Sequence, residues 1–296
     1  MRVRVSLCVL CTLSVLCAEL AVRAQSQSTE LHIRYNSGQG VVPIYEGWER
    51  VPDGSFNMVF GYLNRNHVQE LNLKVGAANH FEPGPADRNQ PEYFYPRENH
   101  FIFKVNVPRD WDRRKELVWT LTANGKTEQA RATLLDIWEI DRKVEVSNNG
   151  GSTAVNNALV ARDQPPTLTF ESVRATAGAA TKLVANIADD GIPPPDAKRR
   201  PPRELEPSLK PTGPPSPVNV PLPQRPRAPQ GLSVLWQLYR GPAKVDFEPT
   251  GYVKAADGKV TVEATFPQAG TYVIRAFAHD SLLRAPADLT VTVPSR

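Results

Sequence analysis

Apolar residues recur at every second position through most of this chain, a period that fits half-buried β-strands and not helices. Phe56, Met58, Phe60 and Tyr62 alternate with Asn57, Val59, Gly61 and Leu63. The same period runs through Leu71–Val75, Phe101–Val107 and Leu117–Thr122. Asn124-Gly125 then supplies a hairpin turn, because both central residues of a type I′ turn need positive φ, and Thr127–Leu134 is the returning strand. Regularly spaced short strands predict a β-sandwich over residues 29–141.

A second run begins at Pro165-Pro166. Thr167–Val173 and Thr181–Ala188 read as strands, but two strands alone make no stable domain. Alternation resumes at Leu232, Val234, Trp236 and Leu238, then at Val260–Phe266, Tyr272–Ala278 and Leu289–Val293. Between the two groups, residues 193–229 hold 14 of the 28 prolines. Such a tract cannot bury enough apolar surface to order itself. We therefore expect an all-β chain of two sandwich domains, the second spanning 165–296 and carrying residues 191–230 as a long proline-rich loop insertion. Residues 142–164, with Asn148-Asn149-Gly150-Gly151-Ser152, read as the linker, with a short helix around Ala154–Val160.

The first 24 residues predict a secretory leader. Arg2 and Arg4 precede an apolar run, and Ala21-Val22-Arg23-Ala24 places cleavage before Gln25. An uncleaved anchor is the alternative, but Glu19 and Arg23 cut the run short of a span. No internal apolar run is long enough to cross a membrane. Cys8, Cys11 and Cys17 all lie in the leader. Each follows a leucine, which a lipoprotein signal would not. The exported chain would then have no disulfide, no thiolate nucleophile and no cysteine-held metal. It also lacks an N-x-[ST] sequon. We expect a bacterial protein, secreted or periplasmic.

The formal net charge of +4 is concentrated outside the strand-rich regions. Residues 191–230 carry seven basic side chains against three acidic ones. No predicted domain carries a basic face, so nucleic acid is not an expected partner. The charged tract suits weak, salt-sensitive contact with anionic polymers or lipid headgroups. The alternative is a solvated spacer whose charge serves solubility.

Residues 165–293 resemble the PKD-like, immunoglobulin-like repeats of bacterial surface and secreted proteins. The resemblance is carried by Pro165-Pro166, by Leu183 to Gly191 ending in Asp189-Asp190-Gly191, by Leu232 to Trp236, by Arg240-Gly241-Pro242 and by Ala269 to Ala276 leading to Asp280. It implies the fold and a role as spacer or binding module, not an activity. It departs in the roughly 40-residue stretch after Gly191, where a short turn is usual. The first domain, with Tyr45 to Arg50 and Phe60 to Asn66, resembles secreted bacterial proteins that lend it no function. In the immunoglobulin-like arrangement Trp236 is the core tryptophan, Tyr272 the tyrosine corner and Ile274 stands at the usual cysteine position.

Two constellations stand out as candidate sites. Tyr93, Phe94 and Tyr95, with Arg97, lie in a Pro/Gly/Asn loop and suit a sugar- or protein-binding surface, unless the loop folds its rings onto the sandwich. Asp189, Asp190 and Asp280 fall at one pole of the second sandwich, where they could bind Ca2+ or merely cap turns. The G-x-S-x-G, H-E-x-x-H, P-loop and G-x-G-x-x-G signatures are absent. The expected function is non-enzymatic adhesion, scaffolding or ligand binding, with a protein or polysaccharide of the envelope as partner. The alternative is a polysaccharide hydrolase using Glu82 and Glu92 beside the aromatic loop.

Overall fold

The computed structural model describes residues 35–148, 157–194 and 228–295. The predicted leader, the Gly/Asn-rich stretch 149–156 and most of the proline tract lie outside the described residues.

The first half builds two antiparallel sheets. One contains β1 (Val41–Arg50), β2 (Phe56–Asn64) and β6 (Arg97–Val107), with β2 in the centre. The other contains β4 (Asn79–Glu82), β7 (Leu117–Ala123) and β8 (Lys126–Ala132), with β7 in the centre. Their facing side chains make an aromatic core of Trp48, Phe60, Phe81, Phe103 and Trp119. Phe81 stacks on Trp119 at 5.7 Å between ring centroids, and Phe103 meets Trp119 edge-on at 5.0 Å. These are the offset and T-shaped arrangements that aromatic quadrupoles favour. The β7–β8 hairpin turns at Asn124 and Gly125, with φ of 49° and 74°, as the sequence leads one to expect.

Two departures have local causes. Strand β1 does not show as alternation, because its register against β2 shifts between Tyr45 and Gly47. Such a bulge puts an extra residue into the pleat and breaks the two-residue period. Gly47 sits there at φ 136°, and a Cβ on it would stand 2.4 Å from the Trp138 carbonyl. The expected Leu71–Val75 strand shrinks to β3 (Leu71–Asn72), paired with β5 (Tyr93–Phe94). The chain then turns away, and the Asn79 side chain holds the turn by donating to the Leu73 carbonyl at 2.9 Å.

The second half also builds two sheets. The first runs β12 (Asp246–Glu248), β14 (Lys259–Thr265), β10 (Ala180–Ala188), β9 (Thr167–Phe170). The second runs β13 (Tyr252–Lys254), β11 (Ser233–Arg240), β15 (Gly270–His279), β16 (Arg284–Val293). The β9–β10–β14 and β11–β15–β16 pairings, all antiparallel, are the A–B–E and C–F–G pairings of an immunoglobulin-like sandwich, while the short edge strands depart from it, β12 joining the first sheet before β13 joins the second. Trp236 and Ile274 are buried in its core, and Tyr272 Oη donates to the Gln268 carbonyl at 2.9 Å, closing a tyrosine corner. β10 and β11, the strands on either side of the proline tract, belong to different sheets but line one core. Leu183 and Ala185 pack there with Val234 and Trp236.

Two short helices join the halves, α1 (Arg142–Asn148) and α2 (Asn157–Arg162). Val146 of α1 is buried against Leu282 and Leu283, in the connection between β15 and β16.

Candidate functional site

The aromatic segment is not a free surface. Tyr93 and Phe94 are 6% and 0% exposed. Successive residues of an extended chain point to opposite sides, and here the two sides belong to different cores. Phe94 enters the core of the first half, 4.9 Å from the Tyr62 ring. Tyr93 enters the core of the second, with Tyr95 packed beside it. The hydroxyl of Tyr95 accepts from the Leu238 amide at 2.9 Å, and that of Tyr93 bonds to Glu70. Burial pushes both phenols well above their ordinary pKa. Arg97 stands apart from the rings, at φ 65°, donating to the Arg65 carbonyl at 3.1 Å. The segment thus joins the two halves, and the rings expected on a ligand surface are largely inside the protein.

The second half answers in kind. Tyr239 and Phe277 extend from β11 and β15 into the first half's core. The sequence reading did not single them out, because strict alternation assigns one face of each strand to water. Arg275 lies between them, 5% exposed. Its guanidinium sits 3.5 Å from the Tyr239 ring centroid and donates to the Ile102 carbonyl at 2.8 Å. It also grips Asp288 through two bonds of 2.7 Å each. Such a forked pair fixes geometry as well as charge. Arg240 makes a similar pair with Asp87, at 2.7 and 3.0 Å, and donates to the Gln90 carbonyl. Tyr239 completes the seam, its amide-side carbonyl accepting from Glu92 N at 2.9 Å and its hydroxyl bonding to the Asn89 carbonyl.

Asp189, Asp190 and Asp280 influence one another electrostatically, and a fourth carboxylate, Asp163, acts with them; among the described residues no group of three or more His, Cys, Asp or Glu could hold a metal ion. Asp189 and Asp190 end β10, and Asp280 follows β15. Asp163, just past α2, is fully buried, and the charges of Asp280, Asp190 and Asp189 act on it. Some oxygens cap turns. Asp280 Oδ1 accepts from Leu282 N and Leu283 N at 2.6 and 2.7 Å. Asp189 Oδ2 accepts from Gly191 N at 2.8 Å, and Asp190 takes Ile192 N and Gln164 N at 2.9 and 3.0 Å. Both oxygens of Asp163, Oδ1 of Asp189 and Oδ2 of Asp280 are buried without a hydrogen-bond partner. Burial, and then the neighbouring carboxylates, push Asp163 up to about 8. Burial pushes Asp280 up to about 6 against its backbone hydrogen bonds. Asp163 was legible only as an isolated acid ahead of Pro165-Pro166.

Of the two carboxylates in the hydrolase alternative, Glu92 is engaged by Lys74 at 2.6 Å, and Glu82 is exposed at the end of β4. Among the described residues, no helix is long and apolar enough to cross a membrane.

No protein-family model matches the chain, and no curated protein matches it. Among solved structures, it is similar to domains 4 and 5 of the S-layer protein SbsC at 10% identity and a TM-score of 0.22, covering 61% of this chain and 66% of that one. It is similar to the D00-D0 domain of intimin at 10% identity and a TM-score of 0.27, covering 86% of this chain and 100% of that one. The Yersinia pseudotuberculosis adhesin InvE gives 10% identity and a TM-score of 0.24, over 88% of this chain and 61% of that one. This chain spans just under two thirds of the SbsC fragment. At these scores the likenesses carry no argument, and the immunoglobulin-like assignment of the second half rests on its strand order and core.

Proposed function

We propose that the chain is an exported, non-enzymatic bacterial protein that works at the envelope or outside the cell as a stiff two-sandwich unit in adhesion, scaffolding or ligand binding. The observation that supports this most is the seam. Tyr93, Tyr95, Tyr239, Phe277, Arg240 and Arg275, the aromatic and arginine side chains that most often dominate a binding surface, are spent on holding the two halves together. A chain that fixes two sandwiches against each other in this way is suited to presenting or spacing. Export rests on the leader sequence. The proline tract stands in the sequence between β10 and β11, two strands that line one core. Its basic charge makes anionic envelope polymers its natural contact.

The test uses the exported full chain and a variant with residues 195–227 replaced by a short Gly/Asn turn. Binding to purified cell-wall polysaccharide and to anionic vesicles is measured across a salt series. Binding by the full chain that weakens with salt and is lost in the variant supports the reading. A polysaccharide screen run beside Glu82→Gln and Glu92→Gln addresses the rival. Turnover abolished by either substitution overturns the non-enzymatic reading.

A further inference from the structure

Large hydrophobic side chains are seldom left in water together. Among the described residues six are exposed, and four of the six, Leu135, Ile137, Trp138 and Val144, fall within ten positions of the segment that leaves the first sandwich. Ile137 is 85% exposed and Trp138 46%. Single exposed hydrophobics are ordinary, whereas a cluster marks a contact surface.

The cluster sits on a firmly held support. Ile137 is in the middle of a 3-10 turn, Asp136–Trp138. Trp48, fully buried, holds the turn at both ends. Its indole donates to the Leu135 carbonyl at 2.9 Å, and its own carbonyl accepts from the Ile140 amide at 2.8 Å. The Arg50 and Arg113 guanidiniums lie over the Trp48 ring, 5.2 and 5.0 Å from its centroid. Arg50 reaches on to Glu139 at 2.7 and 3.1 Å, and Arg113 to Asp136. The Trp138 ring packs against that of Tyr45, with centroids 5.6 Å apart. The turn is thus tied on both flanks, and the same bonds hold Ile137 outward. None of them needs an apolar side chain at that position, which gains nothing from the fold.

The charges select the partner. Asp136 pairs with Arg113, Glu139 with Arg50 and Glu145 with Arg142, and Asp141 and Lys143 cancel beside them. The apolar centre therefore has a rim of zero formal charge. A polyanion, an anionic membrane or a basic peptide finds no excess of opposite sign there. A rim of one sign would repel its own copy, and this one does not. Carboxylates and guanidiniums stand side by side on it, so a twofold-related copy brings each sign within reach of the other.

We propose that this patch pairs with the same patch of a second copy, in a twofold contact centred on Ile137, with Leu135 and Trp138 of each copy closing over the Ile137 of the other. Such an isologous contact closes on itself and makes a dimer, not a filament. The patch is small, so the dimer belongs to the weak, reversible class. A turn already fixed loses little freedom on binding. The contact uses none of the seam residues and does not depend on the proposed function.

The experiment is sedimentation equilibrium of the exported full chain from micromolar to millimolar concentration. The expected result is a reversible monomer–dimer equilibrium. Ile137→Asp is expected to raise the dimer dissociation constant at least about tenfold, as loss of an interface hot spot does. Its unfolding midpoint is expected to stay in place, because the side chain is exposed in the monomer. Val68→Asp, at an exposed hydrophobic outside the cluster, is expected to leave the constant unchanged. Ile137→Cys is expected to give a disulfide-linked dimer on mild oxidation, in a chain whose other cysteines all lie in the leader. A chain that stays monomeric at millimolar concentration overturns the proposal. So does a dimer that Ile137→Asp leaves intact, or that Val68→Asp weakens equally. A dimer lost when residues 195–227 are replaced by a short Gly/Asn turn also overturns it and makes the proline tract the contact.

Discussion

The two sheets of the second sandwich share one core but live in different surroundings. On β10 and β14 most outward side chains face water, Val184 being the buried exception. Lys182 stands opposite Glu263, both exposed, while Leu183, Val262 and Ala264 point inward. On β11 and β15 both faces are covered. Trp236, Leu238 and Ile274 point into the sandwich, while Tyr239, Arg275 and Phe277 point into the seam with the first half. Period-two patterning therefore describes β10 and β14 closely, Val184 apart, and the second sheet only by half. The difference teaches that a sheet can read as half-exposed in sequence and still be internal, when its second partner is another sandwich and the contact is made by a few large side chains and an arginine.

The sharpest way to break this comparison is to truncate one residue on each sheet. Phe277→Ala is expected to lower stability by about 3–5 kcal/mol, the usual range for emptying a buried phenylalanine site. Glu263→Ala on the outer sheet is expected to stay within about 0.5 kcal/mol. Chemical denaturation of both variants checks this. Equal small effects would mean that the seam face is exposed in solution.

Arg275→Met comes next. It keeps much of the volume but leaves the Ile102 carbonyl and the Asp288 carboxylate without their donor. The expected loss is about 3 kcal/mol, at the low end for a broken buried pair because Asp288 is partly exposed. The same measurement reads it out, and a neutral result would remove the arginine from the account.

The acidic pole gives a pH-dependent effect. Asp163 has an ordinary pKa of 3.8 and is pushed up to about 8 in the folded chain. Between those values the folded chain holds a proton that the unfolded chain has released. Stability is therefore greatest below about pH 4 and falls as pH rises towards 8. Asp280, raised to about 6, adds to the same slope over the lower part of that range. Unfolding measured across this range should show the decline, and Asp163→Asn should flatten it. Tyr95→Phe is the mildest test. It removes the acceptor for the Leu238 amide and is expected to cost about 1 kcal/mol.

Much of the strand inventory was legible, and its gaps follow from definite causes. The alternation in β2, β6, β7, β11, β14 and β15 is legible in the sequence, as are the Asn124-Gly125 turn and the Trp236 and Tyr272 positions. Strand β1 was hidden by its bulge, and β4, β5, β12 and β13 by being only two to four residues long. The aromatic segment reads either as a binding surface or as rings folded onto the sandwich, and the structure has the second for Tyr93 and Phe94. The Pro/Gly/Asn loop around Tyr93-Phe94-Tyr95 does not say that its rings divide between two cores. The acidic pole was legible for Asp189, Asp190 and Asp280, because strand ends in this topology share a pole. Asp163 was missed because it belongs to the joining segment, whose path across the pole no pattern encodes.

Differential scanning calorimetry of the full chain tests the central claim, that the two sandwiches are held as one body through the β11–β15 face. Independent domains joined by a linker unfold in separate steps. The account predicts a single transition whose calorimetric and van't Hoff enthalpies agree, and its splitting into two in Phe277→Ala. Two transitions in the wild-type chain, each unmoved by Phe277→Ala, would contradict it.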